Sequence, residues 1–331
     1  MSKEQFKCIA LAACLTLTGV MVSCADVESD GIYYNITSST DLEVEVTYKD
    51  TSYNSYSGDI EIPSTVRYNN KVYTVTSIGD SAFYNCTSLT SIDLPDGLTS
   101  IGEWAFYNCT SLTSIDLPDE VTRIEEFAFF NCKSLTSIDL PDGVTSIGEY
   151  AFSFCESLTS IDLLDGLTSI GEYAFSFCKS LMSIALPDGL TSIGEAAFSY
   201  CESLTSIDLP DGLLNIGNSA FYNCTSLRSI ALPDGLTNIG SYTFYVCESL
   251  TSIDLPDGLT SIGEAAFSYC ESLTDVYSRN VTPPTCASSN VFDDTTYENA
   301  TLHVPSEALT SYQEADAWFF YNIVGDTLTG E

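Results

Sequence analysis

The sequence predicts a mainly-β repeat solenoid of about nine stacked coils, and three observations carry that prediction. Cysteine recurs every 23 residues, at Cys86, Cys109, Cys132, Cys155, Cys178, Cys201, Cys224, Cys247 and Cys270. Phenylalanine stands three residues before each of them, from Phe83 to Phe267. The segment I-G-E-x-A-F-x-x-C-x-S-L-T-S-I-D-L-P-D-G-L-T-S links them with few changes, and residues 147–163 and 170–186 differ at three positions. A fixed period of this length marks a repeat array in which each unit buries its apolar side only against its neighbours.

Each coil can be read from one copy. Ile92 and Leu94 alternate with polar Ser91 and Asp93, the period of a strand, and Leu89 adds a third inward residue. Pro95-Asp96-Gly97 suits a type I turn. A second extended piece, Leu98 to Ile101, is closed by Gly102, and Ala105-Phe106 brings the chain back to the core. Stacked coils pair their strands in parallel about 4.8 Å apart, which makes the rod roughly 40–45 Å long. Glu120 stands where Gly97 would, Glu125 where Gly102 would and Leu164 where Pro95 would. A positive φ is therefore not demanded at either glycine position.

Composition narrows the function. The chain has 331 residues and 44% hydrophobic content, enough for a sizeable core. Its 46 Asp and Glu against 10 Lys and Arg give a net charge of -36. That field repels nucleic acid and anionic membranes and favours basic partners. One histidine, His303, is present, and it has no evident partner in the sequence. No nucleophile elbow, P-loop, zincin or dinucleotide motif occurs. The repeated aspartates have identical neighbours, whereas a catalytic pair needs two unlike environments. The chain is expected to be no enzyme and to hold no cofactor.

Residues 1–23 read as a secretion signal. Lys3 and Lys7 precede an apolar run of 15 residues, Cys8 to Val22, too short to span a bilayer comfortably. The run ends in Met21-Val22-Ser23-Cys24, which resembles a bacterial lipobox and makes Cys24 the candidate lipidation site. Cys14 also fits such a box but leaves too little apolar length before it, and an ordinary signal peptide is the alternative. Residues 24–31 are acidic and read as a tether. The expected location is the outer membrane, facing the cell surface, with the lipid as the only membrane contact.

The repeat stacks residues into columns. The cysteine column, with Cys286 as a tenth member, reads as a ladder of buried thiols, with occasional disulfides as the alternative. No C-x-x-C or Cys–His cluster supports a metal. One or two residues before each cysteine sits an aromatic: Tyr84, Tyr107, Phe130, Phe154, Phe177, Tyr200, Tyr222, Tyr245 and Tyr269. A partial second column holds Trp104, Phe127, Tyr150, Tyr173 and Tyr242. These are either packing over the coil bends or a half-exposed strip for protein or glycan contact. On the strand face Asp93, Asp116, Asp139, Asp162, Asp208 and Asp254 align, interrupted by Ala185 and Ala231. A serine column that includes Ser91, Ser114, Ser137 and Ser160 runs beside them. Glu103, Glu126, Glu149, Glu172, Glu195 and Glu264 form a further acidic file. Like charges about 5 Å apart disfavour each other, so a basic partner or ions would relieve them. No calcium loop of the D-x-D-x-D-G kind is present.

The pattern L-x-x-I-x-L-P-x-x-L-x-x-I-G-x-x-A-F-x-x-C, over about residues 60–275, resembles the leucine-rich repeat of BspA-like surface proteins, also found in treponemal surface proteins. The resemblance implies an N-terminal cap at 32–76, repeats at 77–274 and a C-terminal cap at 275–331. In that cap Glu307 to Ala317 has helical character and would lay Trp318 and Phe319 over the last coil. It also implies adhesion to host matrix proteins or other cells, by a monomer presenting its Asp/Ser face. Two alternatives stay open: a scaffolding lipoprotein without a host ligand, and a glycan- or mucin-binding module using the aromatic strip. Asp80-Ser81-Ala82, Asp294-Thr295-Thr296 and Asp326-Thr327-Leu328 also resemble an O-glycosylation pattern of gut anaerobes.

Overall fold

The computed structural model describes residues 25–49 and 53–326. Cys24 and the leader before it lie outside the described residues. The chain forms a mainly-β solenoid with parallel stacked strands, about 11 turns in all once the end units are counted. The expected nine coils form its regular centre.

Backbone pairing at the bend sets the coil. Amides there alternate in direction. Trp104, Phe106 and Asn108 donate to Glu126, Ala128 and Phe130 of the next coil, at 3.0, 2.8 and 2.7 Å. Ala105, Tyr107 and Cys109 donate to Gly102, Trp104 and Phe106 of their own coil, at 3.3, 3.1 and 3.2 Å. Two left-handed residues accompany this alternation: φ is +60° at Trp104 and +59° at Asn108. Both columns keep it in every regular coil, from Ser81 and Asn85 to Ala265 and Tyr269. None of these residues is glycine, so each pays about 1–2 kcal/mol of backbone strain, and Asn is the residue that tolerates it best.

Glycine has a different task. Neither Gly97 nor Gly102 has a positive φ, in keeping with Glu120 and Glu125 in those columns. In the column of Gly102 the coils approach so closely that a Cβ on Gly171 would stand 2.6 Å from the carbonyl carbon of Gly148. On Gly97 a Cβ would meet nothing within 4 Å.

The interior is a set of files. Phe83 through Phe267 are buried and stack at 5.0–5.6 Å with ring planes within 12° of parallel. Phe292 continues the file 5.2 Å beyond Phe267. The nine cysteines of the 23-residue file, Cys86 to Cys270, are free and buried. Each thiol from Cys109 onward donates to the carbonyl of the phenylalanine 26 residues earlier, as Cys109 Sγ does to Phe83 O at 3.1 Å and Cys178 Sγ to Phe152 O at 3.3 Å. The thiol thus supplies a second donor to a carbonyl that already accepts one amide of its own coil. Cys286 lies outside this file. It pairs with Ile262 in the second strand ladder, because the chain after Cys270 leaves the 23-residue register.

The ends continue the ladders. Seven strands enter the solenoid: β1 (Val27–Ser29), β2 (Ile32–Ser38), β3 (Glu43–Thr47), β4 (Gly58–Glu61), β5 (Thr65–Tyr68), β6 (Lys71–Ile78) and β7 (Leu89–Asp93). β4 pairs in parallel with β7, and β6 pairs in parallel with Ser100–Ile101, so each ladder has its first rung in the cap. β1 pairs antiparallel with β2. Part of the stretch read as tether is therefore ordered, since Val27 is apolar and buried beneath the sheet. At the other end Ser252–Leu255, Asp275–Ser278, Thr301–Pro305 and Asn322–Asp326 pair in parallel succession. Two short helices, α1 (Asp294–Asn299) and α2 (Leu309–Glu314), fill the connections. Trp318 is buried as expected, donating Nε1–H to Pro284 O at 3.1 Å. Its companion against the core is Phe320, which meets Phe292 edge-on at 5.0 Å, while Phe319 is exposed. Extended backbone there sends successive side chains to opposite faces.

Two outcomes are expected. Gly171→Ala should lower stability by about 1–3 kcal/mol, the range for overpacking, while Gly97→Ala should raise it by about 0.4–1 kcal/mol; thermal melts of the two variants check this. Burial raises the thiols, to about 12 at Cys155 and Cys224. Unfolded thiols ionise near about pH 8.5, so this stabilisation is complete below that pH. It falls as pH rises toward the folded value, by about 1.4 kcal/mol per thiol per unit. Replacing Cys155, Cys178 and Cys201 by Ala should flatten the decline between pH 8.5 and 9.5 by about a third, three thiols of the nine in the file.

Candidate functional site

The strand face assembles as the spacing implies. Asp116, Asp139 and Asp162 bridge one to the next, then Ala185, then Asp208. Asp93, Asp116, Asp139, Asp162 and Asp208 are exposed, as are Ser114, Ser137 and Ser160. Among the described residues none of these five carboxylates forms a salt bridge. Both ends of the strand face differ. Ser91 donates to Asp59 Oδ1 at 2.7 Å, as does Thr90, and these hydroxyls hold the Asp59 carboxyl below its ordinary range. Asp254 is clasped by Arg279, whose Nε lies 3.0 Å from Oδ1 while Nη2 bonds Oδ2. Asp254 therefore leaves the open file, a contact that links residues 25 apart and breaks the repeat register.

The glutamate file lies on another side. Desolvation, followed by the neighbouring carboxylates, raises Glu103 and Glu149 above the usual range. No group of three or more metal-ligating side chains occurs among the described residues.

The aromatic residues form two neighbouring files over the bends. Tyr84, Tyr107 and Phe130 stack at 4.6 and 4.8 Å, and Phe154, Phe177 and Tyr200 at 4.4 and 4.3 Å. Trp104, Phe127, Tyr150 and Tyr173 stack beside them at 4.1, 4.7 and 4.6 Å. Tyr222 stacks on Tyr245 at 5.0 Å. All of these are half-buried, so their faces cover one another and only edges reach solvent. Tyr269 is the exception in the first file, 51% exposed and turned 72° from Tyr245.

The sequence reading missed the surroundings of His303. Its Nδ1 lies 2.6 Å from Asp326 Oδ2 and its Nε2 3.1 Å from Asp275 Oδ1, with the ring on Tyr277 at 4.4 Å. Thr274 and His303 hold Asp275 below its ordinary range. The 23-residue separation of His303 from Asp326 equals the repeat period and was the available signal. Of the glycosylation-like triplets, Ser81 sits half-buried in a bend, Thr295 is exposed on α1, and Thr327 lies outside the described residues.

A family model described as the BspA type leucine rich repeat region matches residues 76–205 and 191–315, in six copies. The chain belongs to the BspA type leucine rich repeat family. A solved leucine-rich repeat protein from Bacteroides ovatus is 27% identical, covers 91% of this chain and 99% of its own, and superposes with a TM-score of 0.53. The leucine rich repeat protein of T. pallidum is 26% identical over 75% of this chain and 90% of its own, TM-score 0.42. A leucine rich cell surface protein from Faecalibacterium prausnitzii is 25% identical over 93% and 95%, TM-score 0.39. No curated protein matches the chain. No helix among the described residues is long and apolar enough to cross a membrane. BspA type solenoids are scaffolds that present surfaces, and this one presents an open acidic strand face and a mostly closed aromatic one.

Proposed function

We propose that the chain is an exported, lipid-anchored surface protein that binds other proteins, on host matrix or on neighbouring cells, through its Asp/Ser strand face. The observation that carries this reading is the file of exposed carboxylates from Asp93 to Asp208 with no salt-bridge partner among the described residues. Membership of the BspA type family supports a protein-binding role. Cys24 is the anchor in this reading. Repetition then acts through avidity: many equal, weak, screened contacts add along a basic or repetitive partner.

The test is binding of the chain carrying Cys24→Ser, without lipid, to a panel of matrix proteins across a salt series. A protein hit should weaken steeply with ionic strength. Asp139→Ala with Asp162→Ala should weaken it about 2- to 30-fold, since exposed pairs contribute about 0.2–1 kcal/mol each. Unchanged binding by that double variant would sink the strand-face reading. No hit in the panel would favour a scaffold without a client of this kind.

A further inference from the structure

The regular coils repeat one environment, so a single-copy site can form only where the register breaks. It breaks after Cys270. Phe292 bridges to Phe267, which places Asp293 and Asp294 where Ser268 and Tyr269 stand in the preceding coil. The aromatic file therefore ends at Tyr269, and acidic residues occupy the position of the next ring. Tyr269 is turned 72° from Tyr245, and Tyr245 in turn stands 65° from Tyr242 at 5.6 Å. These three rings line an open cleft of about 630 Å³ that also holds Glu271, Asn290 and Asp294. A second cleft of about 450 Å³ shares Ser289 and Asp294 with the first and adds Phe319, Tyr321 and Glu298. The two are one furrow with aromatic rings at either end and carboxylates, an amide and hydroxyls between them. Tyr269, Phe319 and Tyr321 are 51%, 52% and 78% exposed, the three exposed aromatic rings among the described residues.

Backbone contacts preform the first cleft. Asp293 Oδ2 accepts the amide of Tyr269 at 2.7 Å, and its Oδ1 accepts that of Thr296 at 2.8 Å. The last ring is thus fixed to the start of α1, and the floor of the cleft does not depend on a ligand.

We propose that this furrow binds a neutral oligosaccharide, with one sugar on Tyr269 in place of the missing ring and a later sugar on Tyr321. An open aromatic face takes the apolar face of a sugar, while carboxylate and amide groups beside it pair with hydroxyls. The exposed carboxylates Glu271, Asp294 and Glu298 disfavour sialylated or sulfated glycans. A basic peptide would find acidic groups along the whole solenoid; the open rings single out this end. The inference does not rest on the strand-face reading.

The experiment is calorimetric titration of the Cys24→Ser chain with neutral and sialylated oligosaccharides released from mucin, from two to five sugars long, in low and high salt. Neutral chains of three or more sugars should bind with Kd below about 1 mM, almost independently of salt. Tyr269→Asn places at this left-handed position the residue that Asn85, Asn108, Asn131 and Asn223 already hold there, so the variant should fold. It should weaken binding about tenfold or more. Tyr321→Ala should weaken the longer chains and leave disaccharides unaffected. Asp139→Ala with Asp162→Ala should leave sugar binding intact, which separates this site from the strand face. Full binding by Tyr269→Asn, preference for sialylated chains, absence of binding, or salt-sensitive capture of an oligolysine peptide alone would each overturn the proposal.

Discussion

The rest of the structure depends on the backbone pairing of each bend with the bend of the next coil. That pairing holds only if two residues per coil adopt the left-handed conformation, and the chain places Asn, Ser, Ala, aromatic residues and once a Val, Val246, there in preference to glycine. The strain recurs in every regular coil, so it belongs to the architecture and marks no single site. It is offset by what the pairing brings together: stacked phenylalanines inside, thiols donating to their carbonyls, and stacked rings outside. Asn at the left-handed position forms its own file, with Asn108 Nδ2 donating to Asn85 Oδ1 and Asn131 Nδ2 to Asn108 Oδ1, both at 2.6 Å. Where an aromatic takes that position instead, serine fills the place before it, as Ser153 and Ser176 do at 2.6 Å from each other. The coil at Tyr245-Val246 uses neither, so one backbone accepts several side-chain solutions.

Pairing identical coils also stacks identical charges. On the strand face the cost is small, because exposed carboxylates keep their water and salt screens them. The same stacking cannot be tuned residue by residue. A face with Asp116, Asp139 and Asp162 in file gives each one the same neighbours, which suits additive binding and rules against division of labour. Arg279 on Asp254 closes the file at its C-terminal end, whereas at the other end exposed Glu61 pairs with Asp93 and carries the acidic file into the cap.

Most of the fold was legible because period and polarity agree. Cysteine and phenylalanine at 23-residue spacing give the coil, and Ile-Asp-Leu alternation gives the strand face. What was illegible depended on three-dimensional closeness. The glycines at 171 and 194 read as turn residues and in fact permit coil contact. Phe154, Phe177, Tyr200 and Tyr269, and the second column from Trp104 to Tyr242, read as side-chain chemistry, yet their first constraint is a positive φ. Phe319 and Phe320 are neighbours that sequence alone could not assign to inside and outside. Of the candidate site, the Asp and Ser positions were readable from alternation, whereas the clasp on Asp254 and the carboxylates around His303 join residues 25, 28 and 23 apart in a region without clean repeats.

Specific chemistry and repetition therefore occupy different parts of this molecule. A solenoid must end, and each end exposes a coil whose next neighbour is missing. At the N-terminus β-strands supply that neighbour. At the C-terminus Phe320 and Trp318 cover the phenylalanine file, but among the described residues no ring continues the aromatic file outside it. Tyr269 is the last ring of that stack, and Asp293 holds its backbone while leaving its side chain open. A surface built by copying gains its one unlike constellation at the point where copying stops, and that is where selectivity for a single ligand can arise.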